Sequence, residues 1–209
     1  MLVALLAGLQ ILGFSPDDRY VAYVEHGVGE GSGNAWATLH VLDVKKGAPA
    51  RPPVEIRLDT GDEEAAVAKA REAGEAARGK LQIDAWASPK EVAHDERGAM
   101  TEESGAPIGT IELKTKSAGP KERAKCEEPF QPLLLSLKVI WMDDDRPSRI
   151  ADEKKPPASR PCASGCALDK VWAHGKAALV SVKCTVQGFE GPVPKYSYYT
   201  SLLPYGLAE

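Results

Sequence analysis

The sequence predicts an α+β chain that is mainly β: an antiparallel sheet or sandwich-like meander with one alanine-rich helix, about 61–79, and long loops. Three observations carry this. Ile108–Lys116 and Ala177–Gly188 alternate apolar and polar residues, the period-two signature of strands with one face covered. Only 61–80 repeats its apolar positions at helical spacing. The stretches between them are rich in Gly, Pro, Ser and Asp, the residues of turns and loops.

A chain of 209 residues is long enough to bury a core by itself. Its formal charge of −4 is spread over mixed signs with no basic stripe, so a nucleic-acid partner is not expected. No run reaches the ~18 apolar residues of a membrane helix, so no transmembrane span is expected. Met1-Leu-Val-Ala-Leu-Leu-Ala7-Gly8 is apolar and lacks the basic n-region of an export signal. It reads as the remnant of a signal peptide, residues 1–8, ahead of a single globular domain, 9–209. A short buried N-terminal strand is the alternative.

Residues 11–24 read as strand, turn, strand, with Ser15-Pro16-Asp17-Asp18 supplying the turn. A glycine-rich loop, 27–33, precedes a strand over Trp36–Val44. In the helix, Ala66, Ala70, Ala73 and Ala77 share a face, and Thr60 with Glu63 suggests a capping box. Gly79 is the expected stop. Leu133–Met142 is a strand whose inner row is Leu133, Leu135, Leu137, Val139 and Trp141. Residues 143–166, with four prolines, read as a long surface loop. Ala177–Gly188 points Ala178, Val180, Val182, Cys184 and Val186 inward, and Lys195–Leu203 runs back as the last strand.

The four cysteines, Cys126, Cys162, Cys166 and Cys184, suit an oxidising compartment. The pairing expected is Cys162 with Cys166 and Cys126 with Cys184. A four-thiolate zinc site is the rival, although only Cys162 and Cys166 have ligand spacing; no metal and no cofactor is expected. Free thiols in a cytosolic protein are the remaining alternative.

Phe14–Tyr23 followed by Leu39–Val44 resembles one blade of TolB-type propellers, but the motif does not recur and a propeller is rejected. The 27–33 loop lacks the Gly-Lys-Ser/Thr and helix of a phosphate loop, and Ser32 lacks the glycine two residues earlier that a nucleophile elbow needs. Candidate binding residues are Glu25, His26, Glu30 and Ser32 around that loop, with Phe189 and Glu190 in Gly188–Pro192. His40, His94 and His174 are scattered and suggest no ligand set. Asp143-Asp144-Asp145 lacks the pattern of a calcium loop.

Three blocks carry a resemblance: Ile11–Gly27, Gly31-Ser-Gly33, and Gly188-Phe-Glu-Gly-Pro192 followed by Lys195-Tyr196. Their order and spacing are similar to the DUF2259 family of predicted secreted bacterial proteins. Asp145–Arg149 or Ser159–Cys162 corresponds to a Ser-Arg stretch of that family. Asp18 stands where the family pattern has glycine, and Glu30 where it has aspartate. The resemblance implies export and a β-rich fold, and no activity. The reading is therefore an exported, periplasmic or extracellular, accessory or binding domain of the cell envelope, with no catalytic set assembled and an envelope protein or small ligand as partner. The alternatives are a carboxylate-based hydrolase using Glu25 and Glu190, and a zinc-stapled cytosolic domain.

Overall fold

The structure is a computed structural model of the chain, and it describes residues 8–29, 32–101, 105, 107–142, 144–157, 160, 162–188 and 191–202, without the side chains of 144–147 and 188. The apolar residues 1–7 and the run's first aspartate, Asp143, lie outside the described residues. The described chain forms two compact units. One runs up to Lys90 and includes Ala173–Ala178 and the chain from Thr200; the other takes Glu91–Trp172 and Leu179–Tyr199.

The first unit is built on β1 (Gly8–Phe14), β2 (Tyr20–Val28), β3 (Ala35–Asp43), β4 (Ala48–Pro49) and β5 (Val54–Arg57), followed by α1 (Glu63–Lys80). The strands pair antiparallel in the order β1-β2-β3-β4, and β5 pairs with the other end of β3. In the β2–β3 hairpin Ala22 faces Val41, Val24 faces Leu39 and His26 faces Ala37. The apolar members of that row form a core with Ala66, Ala70 and Ala77 of α1. The predicted alanine stripe is therefore the buried face, with Gly74 joining it and Ala73 only partly covered.

The helix ends differ from the expectation. Asp62, not Thr60, is the N-cap, its Oδ1 accepting the Ala65 N–H at 2.9 Å. Glu63, now the first helical residue, bonds to His26 rather than back to a cap. Gly79 sits inside the last turn; the left-handed residue that ends the helix is Gln82, at φ 57°. A β-carbon at Gly74 would meet Leu12 Cδ1 at 2.7 Å, so its absence leaves room for that side chain beneath the helix. A bulge follows Ile11 in β1. The extra residue turns Phe14 outward, where its N–H and C=O pair with Ala87 at 3.0 and 2.7 Å.

The Ser15–Asp18 turn forms as predicted. Ser15 is buried; its Oγ accepts the Tyr20 N–H at 2.8 Å and donates to Asp17 Oδ1 at 2.6 Å. That hydroxyl is the main reason the Asp17 carboxyl is held below its ordinary range. Asp18 adopts φ 59°, a conformation that glycine reaches freely and other residues reach at a cost. Its carboxylate takes up that cost by accepting the Lys176 N–H at 2.7 Å and His174 Nδ1 at 3.0 Å, while the His174 ring stacks on Phe14.

The second unit holds most of two further sheets. Its elements are β6 (Lys90–Glu91), β7 (Ala93–His94), β8 (Ala99–Thr101), β9 (Pro107–Ser117), α2 (Pro120–Arg123), β10 (Leu133–Trp141), β11 (Asp144–Asp152), β12 (Ala163–His174), β13 (Ala177–Gly188) and β14 (Gly191–Leu202). The sheet orders are β11-β10-β9-β8-β7 and β14-β13-β12-β6. The inner row of β10 is buried at all five predicted positions, as are the five predicted positions of β13. The predicted 143–166 loop is replaced at both ends: Asp144–Asp152 pairs with β10 as an edge strand, and β12 begins at Ala163. Charges and a proline conceal that strand in the sequence; at a sheet edge both are tolerated.

The cysteines form two disulfides, but not in the expected pairing. The bonds are Cys126–Cys162 and Cys166–Cys184, with Cα separations of 5.7 and 4.0 Å. Cys162 and Cys166 span the start of β12. Four extended residues at ~3.3 Å each exceed the ~7 Å a disulfide can bridge. Cys166 instead reaches across to Cys184 on neighbouring β13.

The Asp18 geometry orders three stabilities. Asp18→Ala should cost about 1–3 kcal/mol through the two lost hydrogen bonds. Asp18→Gly should cost about 1 kcal/mol less, because glycine relieves the left-handed backbone. Urea unfolding midpoints check this; an alanine variant as stable as the glycine variant contradicts it.

Candidate functional site

The candidates around the glycine-rich loop do not converge. Successive strand residues point to opposite faces, so Glu25 and His26 part company. His26 lies on the helix face, its Nδ1 2.5 Å from Glu63 Oε1 at the start of α1, with its ring packed on Gly8. Glu25 lies on the other face beside His40, which sits in register with Tyr23. His40 Nε2 is 2.9 Å from Glu25 Oε2, out of line for a hydrogen bond, and its ring stacks on Tyr23 at 4.8 Å between centroids. Ser32 is exposed and accepts the Asn34 N–H at 3.2 Å, a turn-closing role. Glu30, Phe189 and Glu190 lie outside the described residues.

The histidines set aside as scattered each have a partner. His40 meets Glu25, His174 meets Asp18, and His94 Nε2 lies 3.0 Å from the Asp169 carbonyl. Among the described residues no three His, Cys, Asp or Glu side chains converge as a metal site.

What the first unit does offer is a groove beside β1. It has a volume of about 500 Å³ and is lined by Gln10, Ile11 and Leu12 of the strand, Arg71, Glu75 and Arg78 of α1, and the segment 84–86. This volume is within the usual range for ligand sites. β1 ends its sheet. Beyond Phe14, no outward backbone hydrogen bond from Gly8–Leu12 occurs among the described residues. Arg78 is engaged by Glu75 at 2.7 Å and by the Ile83 and Asp84 carbonyls. Arg71 has only the neutral Gln10 Oε1, at 3.0 Å. The Trp86 indole N–H, at the same groove, is buried without an acceptor.

The sequence reading missed this groove because its walls come from three separate segments. One signal was present: Gly8–Phe14 carries no charge and no proline, whereas the edge strands β11 and β14 carry both. Natural sheets use such residues to block further pairing.

The second unit buries a polar network. Arg160, in the Ser159–Cys162 stretch singled out above, is 0% exposed. Its Nη1 donates to the Leu133 carbonyl at 2.7 Å and its Nη2 to Glu153 Oε2 at 2.5 Å. Glu153 also accepts the Leu135 N–H at 2.8 Å and the Tyr199 hydroxyl at 2.7 Å. Glu153 did not stand out in the sequence, where it sits among the lysines and prolines read as a loop.

Two tests follow from these environments. Burial first, and the Glu25 charge second, push the Tyr23 phenol well above its ordinary range; burial and then Glu153 do the same to Tyr199. A raised phenol stabilises the fold fully below the ordinary pKa of ~10, and that contribution is lost above it, where the unfolded chain ionises first. Ultraviolet titration should leave two of the six tyrosines neutral until alkaline unfolding; reversible titration of all six in the folded chain contradicts this. Arg160→Met alone, which strands Glu153, should cost about 3–5 kcal/mol, and Glu153→Leu with Arg160→Met should cost less than the sum of the single changes. Additive losses on denaturation would show that the two side chains are not coupled.

Zinc binds thiolates, and in this fold all four cysteines are paired in disulfides. Paired cysteines fit a periplasmic or extracellular location. No curated relative and no solved structure matches the chain. Residues 22–200 match the model of the family described as predicted secreted protein, DUF2259. The match runs from within β2 to within β14, taking in both disulfides and the Arg160 network, and on it the chain belongs to the DUF2259 family of predicted secreted proteins.

Proposed function

We propose that this protein is an exported binding domain of the cell envelope, and that its groove receives an extended polypeptide segment of an envelope protein. The observation that carries this reading is the open edge of β1 beside the groove. An unpaired edge offers main-chain donors and acceptors to an added strand, and the adjoining walls supply side-chain selectivity. Among the described residues Arg71 has no carboxylate partner and the Trp86 N–H no acceptor. The groove therefore favours a segment that brings an acidic side chain and a carbonyl. Less supports the hydrolase reading, since Glu25 lies against His40 and Tyr23 and its expected partner Glu190 lies outside the described residues.

The test uses short peptides selected from a random display library against the folded chain. Binding should slow amide exchange in Gly8–Leu12, enrich acidic residues among the selected peptides, and weaken about tenfold on Arg71→Glu. Peptides that protect only other segments, or that bind Arg71→Glu and Trp86→Phe as well as the parent, would defeat the proposal.

A further inference from the structure

The two disulfides occupy different environments, and from this we infer that Cys126–Cys162 is an exchange site for an external dithiol while Cys166–Cys184 is a permanent staple. Cys126 lies in the wall of an open hollow of about 480 Å³, with Arg123, Glu128, Pro129, Phe130 and Gln131. Both Cys126 and Cys162 are partly exposed. Cys184 is 0% exposed, in the inward row of β13 between Val182 and Val186.

Exchange needs an attacking thiolate to reach one sulfur and the other sulfur to leave as a thiolate. At Cys126–Cys162 both conditions are met: the hollow admits the attack on Cys126, and Cys162 leaves at a partly exposed position. At Cys166–Cys184, attack on the more accessible Cys166 would expel a thiolate into an apolar row, which raises its pKa and makes it a poor leaving group. The chemistry is a two-electron transfer. One thiolate of the dithiol forms a mixed disulfide with Cys126 and frees the Cys162 thiolate. The second thiol of the reagent then displaces Cys126. The dithiol ends as a disulfide, and its two protons end on Cys126 and Cys162.

The opened form is held in place by other bonds. Gln131 and Ala163 exchange two backbone hydrogen bonds, of 2.9 and 2.8 Å, close in sequence to the bond. Arg160, two residues before Cys162, stays fixed to Leu133 and Glu153. The two thiols therefore remain near one another at a high effective concentration, and re-oxidation restores the same pair. Reduction loosens the segment 153–162 without dismantling the sheets.

The experiment treats the folded full chain with dithiothreitol in native buffer, quenches with an alkylating reagent and maps the labelled cysteines. Labelling of Cys126 and Cys162 should precede that of Cys166 and Cys184 by at least about tenfold in rate. Amide exchange should rise within 153–162 and not across β12 and β13. Equal rates, earlier labelling of Cys166 and Cys184, or reduction only on global unfolding would overturn the inference. The Cys126→Ser, Cys162→Ser double variant gives a second check: it should remain folded with its other disulfide resistant to the same reagent, and its failure to fold would show that Cys126–Cys162 is itself a structural staple.

Discussion

The close seat of α1 on the face of β2, β3 and β5 is the contact on which the first unit depends. Ala66, Ala70, Gly74 and Ala77 place almost nothing between the helix backbone and the sheet. Such a face buries little area by itself, at ~25 cal/mol per Å² of apolar surface. Its contribution is to let Leu12, Leu39 and the rest of the sheet row bury theirs. The two ends of the helix are then tied separately. Asp62 caps it, Glu63 binds His26 at its start, and Arg78 holds the Ile83 and Asp84 carbonyls at its end. The groove is a consequence of this arrangement, because the helix brings Arg71 and Arg78 beside the β1 edge and the segment 84–86 forms the far wall.

Polar side chains in this molecule serve mainly as fasteners. His174 and Asp18 join a hairpin tip to a turn, Ser15 ties its turn together from inside, and Glu153 gathers a guanidinium, an amide N–H and a phenol. Taking the Arg160–Glu153 pair out of water is costly, and the pair is tolerated because its hydrogen bonds offset much of that penalty. It fixes Glu153 and Arg160 to the Leu133–Leu135 end of β10. The disulfide at Cys162 is a covalent tie close to the same point.

Glu25 and His26 illustrate the same use of polar groups. General acid–base chemistry needs two groups converging on an open space. Here Glu25 and His26, adjacent in sequence, face opposite sides of a strand, and each is matched to a partner. The groove lies instead along the β1 main-chain edge, between Arg71 and Trp86.

The sequence by itself determined the strands with strict alternation, the helix, the inward rows of β10 and β13, the Ser15–Asp18 turn and the family. Period and turn chemistry are local properties, written within a few residues. It did not show β11, whose charges suit an edge strand and read as a loop. It did not choose the cysteine pairing, since that choice depends on which strand lies beside Cys166. Only the tertiary structure separated Glu25 from His26, buried Arg160 against Glu153 and brought Arg71 and Trp86 to the β1 edge. Each of these joins or divides residues through the course of the chain in space, and no local pattern encodes that course.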